Sequence, residues 1–218
     1  DLRWLGLSWD ETPLRQTDRT EAYQTALDQL RRAGLVYPCF CTRKEIQAEV
    51  ARMVSAPHGP EGPIYPGTCR HLSVADAAAR IAAGQAHAWR LDARKASLQT
   101  GPLTFTDLRH GSIAVNPDLL GDVVLARKDI GCAYHLAVVV DDSFQHITHV
   151  TRGEDLLPST HVHRLLQVLL DFPEPLYLHH HLILDSEGKR LAKRDESLSI
   201  HALRESGLSP EKVLERIR

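Results

Sequence analysis

The sequence lacks any long apolar run. None of its 218 residues lies in a segment that approaches the roughly 18 consecutive apolar residues of a membrane-spanning helix. The first residues, Asp1 to Trp4, do not resemble a secretory signal peptide either. We therefore predict a cytoplasmic protein with no membrane partner.

The chain also has little net charge. It carries 26 Lys and Arg against 28 Asp and Glu, which gives a formal charge of -2. This balance excludes a protein coated in basic surface, so any contact with nucleic acid must use a local patch. The hydrophobic fraction of 43% and the charged fraction of 25% are ordinary for globular proteins. The length fits one main domain with a small insertion.

Cysteine is scarce, with four residues in the whole chain. Three of them form a cluster in the sequence, Cys39, Cys41 and Cys69. So few cysteines in a cytoplasmic protein do not indicate a disulfide framework, whereas thiolates at this spacing are typical zinc ligands. The alternative is that they are small buried hydrophobic residues.

The residues alone leave the fourth zinc ligand open. Tyr65 must lose a phenolic proton, so the imidazoles of His71 and His58 are favoured by ligand chemistry. The run of three histidines at 179–181 is not interpreted as a metal site, because adjacent side chains of a strand point to opposite faces. Cys132 has no matched partner, and we expect it to pack in the core.

The hydrophobic pattern alternates between helices and strands, which is typical of α/β architecture. Helices are predicted from Thr17 or Asp18 to Ala33, from 43 to 55 behind a Thr42/Glu45 capping box, from Val74 to Ala83, after a cap at Ser159 or Thr160, and after Ser199 and Ser209. Strands are predicted in HAWRLDA, LTFTDLRHGSIAV, DVVLARKD and HITHVTRGEDL. The run AYHLAVVVDD fits either a buried strand or a buried helix.

Polar residues gather near the ends of these core segments: Tyr134, Asp141, Asp142, Arg152, Glu154 and Asp155. Ligands of open α/β sheets bind at such ends. Arg152 either holds a carboxylate through two hydrogen bonds or forms an ion pair with a nearby acid.

The octet GKRLAKRD, at 188–195, is the most basic segment. Its four cations are compatible with an exposed hairpin or with a mobile loop that stabilises charge on phosphates.

Several segments occur in an order that resembles one known family: QTDRTEAYQTALDQLRRAGLVYPCFCTR, IYPGTCR, AYHLAVVVDD, ITHVTRGEDLLPSTHVHRLLQ and GKRLAKRD. They resemble the catalytic domain of glutamyl-tRNA synthetase-like class I enzymes. The likeness is greatest to those members that glutamylate the queuosine base of tRNA(Asp). It implies an α/β fold, a doubly wound Rossmann-type core with a small zinc-binding insertion.

The resemblance also implies a division of the chain. Residues 1–38 would be part of the catalytic core and 39–72 the zinc-binding insertion. Residues 73–175 would complete the insertion and the core. Residues 176–218 would carry the basic loop and the C-terminal helices.

The same resemblance assigns roles to individual residues. Zinc would be bound by Cys39, Cys41, Tyr65 and Cys69, although the spacing to His71 is similar to the zinc pattern of some full glutamyl enzymes. Tyr134 and Arg152 would bind glutamate. Lys193 would contact the ATP phosphates, with Arg190 as a second catalytic cation.

The implied reaction is ATP- and Mg²⁺-dependent activation of glutamate followed by transfer to tRNA(Asp) carrying queuosine, by a monomer with structural Zn²⁺. Two departures affect the basic loop, where Arg190 replaces a lysine and Ala192 a serine. The family's His-x-Gly-His motif does not occur in the sequence, and we expect it to precede Asp1. Two alternatives are a catalytic fragment of a full glutamyl-tRNA synthetase and a non-catalytic paralogue that binds zinc and RNA.

Overall fold

The computed structural model describes residues 1–52, 58–59, 62–127, 131–184 and 199–215, with only the backbone of His58. They form two compact units, Gln16–His179 and a smaller one that combines Asp1–Arg15 with His180–Arg218. No helix in the described ranges is long and apolar enough to cross a membrane.

Six α-helices belong to the larger unit: α1 Thr20–Arg32, α2 Arg43–Arg52, α3 Val74–Ala82, α4 Ala93–Thr100, α5 Tyr134–Phe144 and α6 Leu157–Leu169. Its strands are β1 Val36–Cys39, β2 His58–Gly59, β3 Gly62–Pro63, β4 Ala88–Leu91, β5 Thr104–Asp107, β6 Gly111–Ala114, β7 Val124–Arg127, β8 Gly131–Cys132, β9 His149–Gly153 and β10 Leu176–His180. Short 3-10 turns precede α1, at Gln16–Arg19, and α6, at Glu154–Leu156.

Local capping chemistry explains where the predicted helices begin. The Thr42 hydroxyl accepts from the amide of Glu45 at 3.2 Å, and the Glu45 carboxylate accepts from the amide of Thr42 at 2.7 Å, which completes the capping box of α2. Ser73 caps α3 by accepting from the amide of Asp76 at 3.0 Å. The predicted starts of both helices are confirmed.

The predicted cap of α6 is wrong. The helix begins at Leu157, so Ser159 and Thr160 lie inside it and are buried. Pro158 suits the first turn, where a missing N–H breaks no helical hydrogen bond, and the preceding 3-10 turn leads the chain directly into the helix. The Thr160 hydroxyl is used in a different contact, with Arg152.

Two four-stranded sheets organise the larger unit. The first has the order β1-β4-β7-β8 and is antiparallel throughout. The second has the order β6-β5-β10-β9, in which β5 and β6 form an antiparallel hairpin and β10 runs parallel to β5. The fold is therefore α/β. The doubly wound parallel core stays a prediction, because the described residues give the register of one parallel pair only, β5 with β10.

The main core lies where α1, α5 and α6 meet the first sheet. Leu30, Leu91, Leu125, Leu136 and Leu166 are fully buried in it. The ambiguous run AYHLAVVVDD is α5, whose Leu136, Ala137, Val139 and Val140 are buried at helical spacing. Cys132 packs against this core, as predicted.

The smaller unit contains two further helices, α7 Ile200–Glu205 and α8 Pro210–Glu215. Ser199 caps α7 by accepting from the amide of Ala202 at 3.1 Å, which confirms the predicted start. The basic octet, with Arg190, Ala192 and Lys193, lies outside the described residues.

Candidate functional site

The three clustered cysteines lie at one point of the larger unit. Cys39 is the last residue of β1, Cys41 follows it, and Cys69 lies in a turn 28 residues beyond Cys41. Their sulfur atoms all lie within 4.8 Å of one another, and those of Cys41 and Cys69 are 3.4 Å apart. Cys39 and Cys69 are buried.

Tyr65, and not His71, completes this cluster. Its hydroxyl lies 3.3 Å from the Cys39 sulfur and 3.7 Å from the Cys41 sulfur, and it accepts from the Cys69 amide at 2.9 Å. His71 is exposed and does not belong to the group of potential metal ligands in the described ranges. The guanidinium of Arg90 covers the Tyr65 ring at 3.9 Å.

The donor set fits a zinc ion. Tetrahedral zinc with bonds of about 2.3 Å to sulfur separates its sulfur ligands by roughly 3.8 Å, close to the spacing of these thiols. Burial raises the pKa of the Cys41 thiol to about 12. Burial also acts to raise the pKa of Cys69, but hydrogen bonds from the Phe40 amide and Tyr65 outweigh it, so this pKa is lowered. A bound cation stabilises thiolates at such a site.

A buried carboxylate connects the segment that carries Cys69 to the first sheet. Asp122 accepts from Arg70 at 2.8 and 2.6 Å and also from the Tyr37 hydroxyl. Its second oxygen accepts from the amide of Ala93 at 3.0 Å. The turn that positions Cys69 is therefore held against β1 and the start of α4.

The second predicted site is built around Arg152, at the end of β9. Its Nη1 donates to the Tyr134 hydroxyl, at the start of α5, over 3.0 Å. The two residues that the resemblance assigned to glutamate therefore contact each other. Tyr134 is 45% exposed and lines a cavity of about 500 Å³ that Tyr65 and Arg90 also line.

Among the described residues, the hydrogen-bond partners of Arg152 are neutral groups. Nη2 donates to the Thr160 hydroxyl at 2.7 Å, and Nη1 also approaches Nδ1 of His163 at 3.3 Å. Nε donates to Nε2 of His179 at 3.1 Å. The described contacts thus do not support the alternative in which a direct ion pair engages Arg152.

Both histidines must be neutral to accept from a guanidinium. Burial lowers the pKa of His163 well below its ordinary value, and the nearby charge of Arg152 lowers it further. Burial lowers the pKa of His179, although the adjacent Asp107 acts in the opposite direction. These environments favour the neutral form that the geometry requires.

The other predicted polar residues separate. Asp141 is buried in a packing contact: it accepts from the Tyr23 hydroxyl at 2.7 Å and from Arg19 at 2.9 Å. Burial raises the pKa of Asp142, and the positive charge of Arg152 opposes this rise. Glu154 and Asp155 form the turn before α6.

The sequence did not identify Asp107, Thr160, His163 or His179 as members of the site. Three of them contact Arg152 directly, and Asp107 contacts it through His179. Periodicity gave only a partial signal, since it separated neighbouring histidines of 179–181 onto opposite faces of a strand without showing which face is buried.

A family model described as tRNA synthetases class I (E and Q), catalytic domain, matches residues 1–218. A glutamyl-Q tRNA(Asp) synthetase of Rhodobacter capsulatus is 46% identical over 96% of this chain and 76% of its own length. A protein of the same name from Nocardia farcinica is 46% identical over 98% of this chain and 65% of its own length.

Among solved structures, the chain is similar to a glutamate tRNA ligase from Elizabethkingia meningosepticum, crystallised in complex with its amino acid. The TM-score is 0.70 at 28% identity, over 90% of this chain. The chain spans 41% of that ligase, and thus less than half of its length.

Proposed function

Because the chain belongs to the catalytic-domain family of the class I tRNA synthetases (E and Q) and is a ligase-type enzyme domain, we propose that it activates glutamate with ATP and transfers it to the queuosine base of tRNA(Asp). The contact between Arg152 and Tyr134 carries this proposal. An arginine aligned by neutral groups keeps its positive charge for a carboxylate ligand. The names of the two similar glutamyl-Q synthetases favour queuosine as the acceptor.

The reaction has two steps. A carboxylate oxygen of glutamate attacks the α-phosphorus of ATP, and pyrophosphate leaves. Mg²⁺, when bound with ATP, would stabilise the charge on the leaving phosphates. A hydroxyl of the queuosine base then attacks the acyl carbon, and AMP leaves. Arg152 binds a carboxylate of glutamate and Tyr134 orients it, while Lys193 and Arg190 are proposed for the ATP phosphates. The catalysis rests on positioning and electrostatics.

Zinc has a structural role in this proposal. Cys39, Cys41, Cys69 and Tyr65 would hold it, and it would join the two ends of the insertion 39–72. The remaining divisions, 1–38, 73–175 and 176–218, keep the roles given by the resemblance. The monomeric state and the cytoplasmic location stay predictions.

ATP-pyrophosphate exchange on the intact protein tests the first step. With glutamate and no tRNA, we expect exchange that depends on glutamate. Arg152→Lys, which removes the guanidinium and its hydrogen bond to a carboxylate, should raise KM for glutamate about 10-fold or more. Arg31→Lys is the matched control, because Arg31 is exposed and pairs only with Asp28 among the described ion pairs. Equal KM values for the two variants would show that Arg152 does not bind glutamate.

A catalytic fragment of a full glutamyl-tRNA synthetase is the second candidate, favoured by the similarity to a glutamate tRNA ligase. A strict requirement for tRNA(Glu) in the exchange reaction would select it. Transfer of labelled glutamate to tRNA(Asp) with queuosine, but not to tRNA(Asp) without it, would select the first proposal. Absence of exchange under every condition would favour a non-catalytic paralogue.

A further inference from the structure

We propose that Asp107 and His179 are positioning residues, which fix the guanidinium of Arg152 in the orientation that a glutamate carboxylate needs. This inference rests on the proposed function and extends it to residues that do not contact the substrate. It is carried by a chain of two hydrogen bonds: a buried one of 2.6 Å between the Asp107 carboxylate and the imidazole, and a partly buried one of 3.1 Å from Nε of Arg152 to the same imidazole.

The geometry fixes the tautomer of His179. Arg152 can only donate, so Nε2 of His179 must accept at 3.1 Å and cannot carry a proton. The proton therefore lies on Nδ1, which is 2.6 Å from a carboxylate oxygen of Asp107. Both side chains are fully buried, so solvent does not compete for these contacts.

Asp107 is itself held at four points. One of its oxygens accepts from the amides of Arg109 and His110 at 2.9 and 3.0 Å. The other accepts from Nδ1 of His179 and from the amide of the same residue at 3.2 Å. Both residues lie on the parallel pair β5 and β10. The imidazole is therefore oriented by regular strands and not by a loop.

An imidazole between the acid and the arginine has an electrostatic advantage. A carboxylate in direct contact with Arg152 would form an ion pair and compete with the substrate for the guanidinium. A neutral imidazole supplies direction without cancelling the charge. The four described hydrogen bonds of Arg152 use Nε, Nη1 and Nη2 with neutral acceptors only, so the charge stays available for a ligand.

Two substitutions of His179 separate positioning from packing. His179→Gln places an amide near Nε2, where its oxygen still accepts from Arg152. His179→Asn places an amide near Nδ1, which keeps a donor for Asp107 but offers Arg152 no acceptor. We expect KM for glutamate in the exchange assay to rise about 10-fold or more in H179N, the loss expected for one hydrogen bond to a charged group, and clearly less in H179Q.

The matched control is His161→Asn. His161 is also a buried histidine of the same unit, but its Nδ1 accepts from the amide of Asn116 at 3.0 Å and does not contact Arg152. Asparagine can preserve that contact, so KM for glutamate should not change. If H179N and H179Q raised KM equally, in step with their loss of thermal stability, His179 would be a packing residue and the proposal would be overturned.

Imidazole ¹⁵N spectra of the intact protein test positioning without any enzymatic reaction. We expect a neutral His179 with its proton on Nδ1, and an Arg152 Nε–H resonance that shifts in H179N more than in H179Q. A proton on Nε2 would contradict the inference even in an active enzyme. Absence of glutamate-dependent exchange in the unmodified protein would instead refute the proposed function, and the spectra would still decide whether His179 orients Arg152.

Discussion

Asp142 shows how one carboxyl group responds to a partly buried position. It lies on α5, next to the buried Asp141. Burial raises its pKa to about 6 from an ordinary value of 3.8, and the positive charge of Arg152 opposes this only in part. Its ionisation therefore falls in a pH range that is easily reached in solution.

Replacement of Asp142 by Asn should give a pH-dependent gain in stability. The folded state holds the proton more tightly than the unfolded state, so the wild-type carboxyl stabilises the fold below about pH 4. That contribution is lost as the pH rises through about 6. We expect D142N to gain roughly 1 kcal/mol in unfolding free energy, relative to wild type, between pH 5 and pH 8.

Urea unfolding at both pH values measures this difference. Asp28→Asn is the surface control, since its side chain is 42% exposed. A stability difference between D142N and wild type that is constant with pH would show that Asp142 has an ordinary pKa.

Individual site residues could be predicted only in part. Arg152 and Tyr134 lie in segments whose order resembles a known family, so we expected both residues in one site. Thr160 was interpreted as a helix cap, because a hydroxyl before an apolar helix commonly has that role. Asp107 and His179 are 72 residues apart, and nothing local to either one indicates the other.

At the level of elements, one acid connects two helices. Asp141 on α5 accepts from Arg19, which precedes α1, and from Tyr23 within α1. The sequence grouped Asp141 with the candidate site because it lies, like Asp142, near the end of a core segment. Successive helical residues point about 100° apart, so the neighbours face different surroundings.

Asp141→Ala should therefore destabilise the protein without a direct effect on substrate binding. It leaves the Tyr23 hydroxyl and the partly buried Arg19 without their carboxylate, which should cost about 2 to 4 kcal/mol of unfolding free energy. Chemical denaturation measures the loss, and Asp18→Ala is the control because Asp18 is exposed. KM for glutamate should be unchanged at temperatures where the variant is folded, and a large rise would place Asp141 in the binding site.

At the scale of the whole molecule, the cysteine cluster joins distant parts of the chain. It brings residues 39–41 to residues 65–69, and Arg70 continues the connection to Asp122 near the first sheet. Without a cation, three thiols and a phenol would be packed together with weak hydrogen bonds only. Metal binding would convert this contact into a strong constraint on the fold.

We predict about one zinc ion per chain in the intact protein purified without chelator, as one tetrahedral site requires. Cys69→Ser should lose the metal and lower the melting temperature. Cys132→Ser should retain it, because Cys132 packs against the other core. Tyr65→Phe and His71→Ala distinguish the fourth ligand, and the Tyr65 variant is expected to bind zinc more weakly. Wild-type protein without zinc would exclude the site.

The sequence by itself determined the α/β class, the capped starts of α2, α3 and α7, and the grouping of three cysteines. These properties depend on periodicity, capping and spacing within short segments. The tertiary structure decided that AYHLAVVVDD is a helix, that Tyr65 and not His71 meets the thiols, and that Asp141 packs while Asp107 and His179 support Arg152. Such contacts join residues far apart in the chain, and only burial and strand pairing bring them within hydrogen-bonding distance.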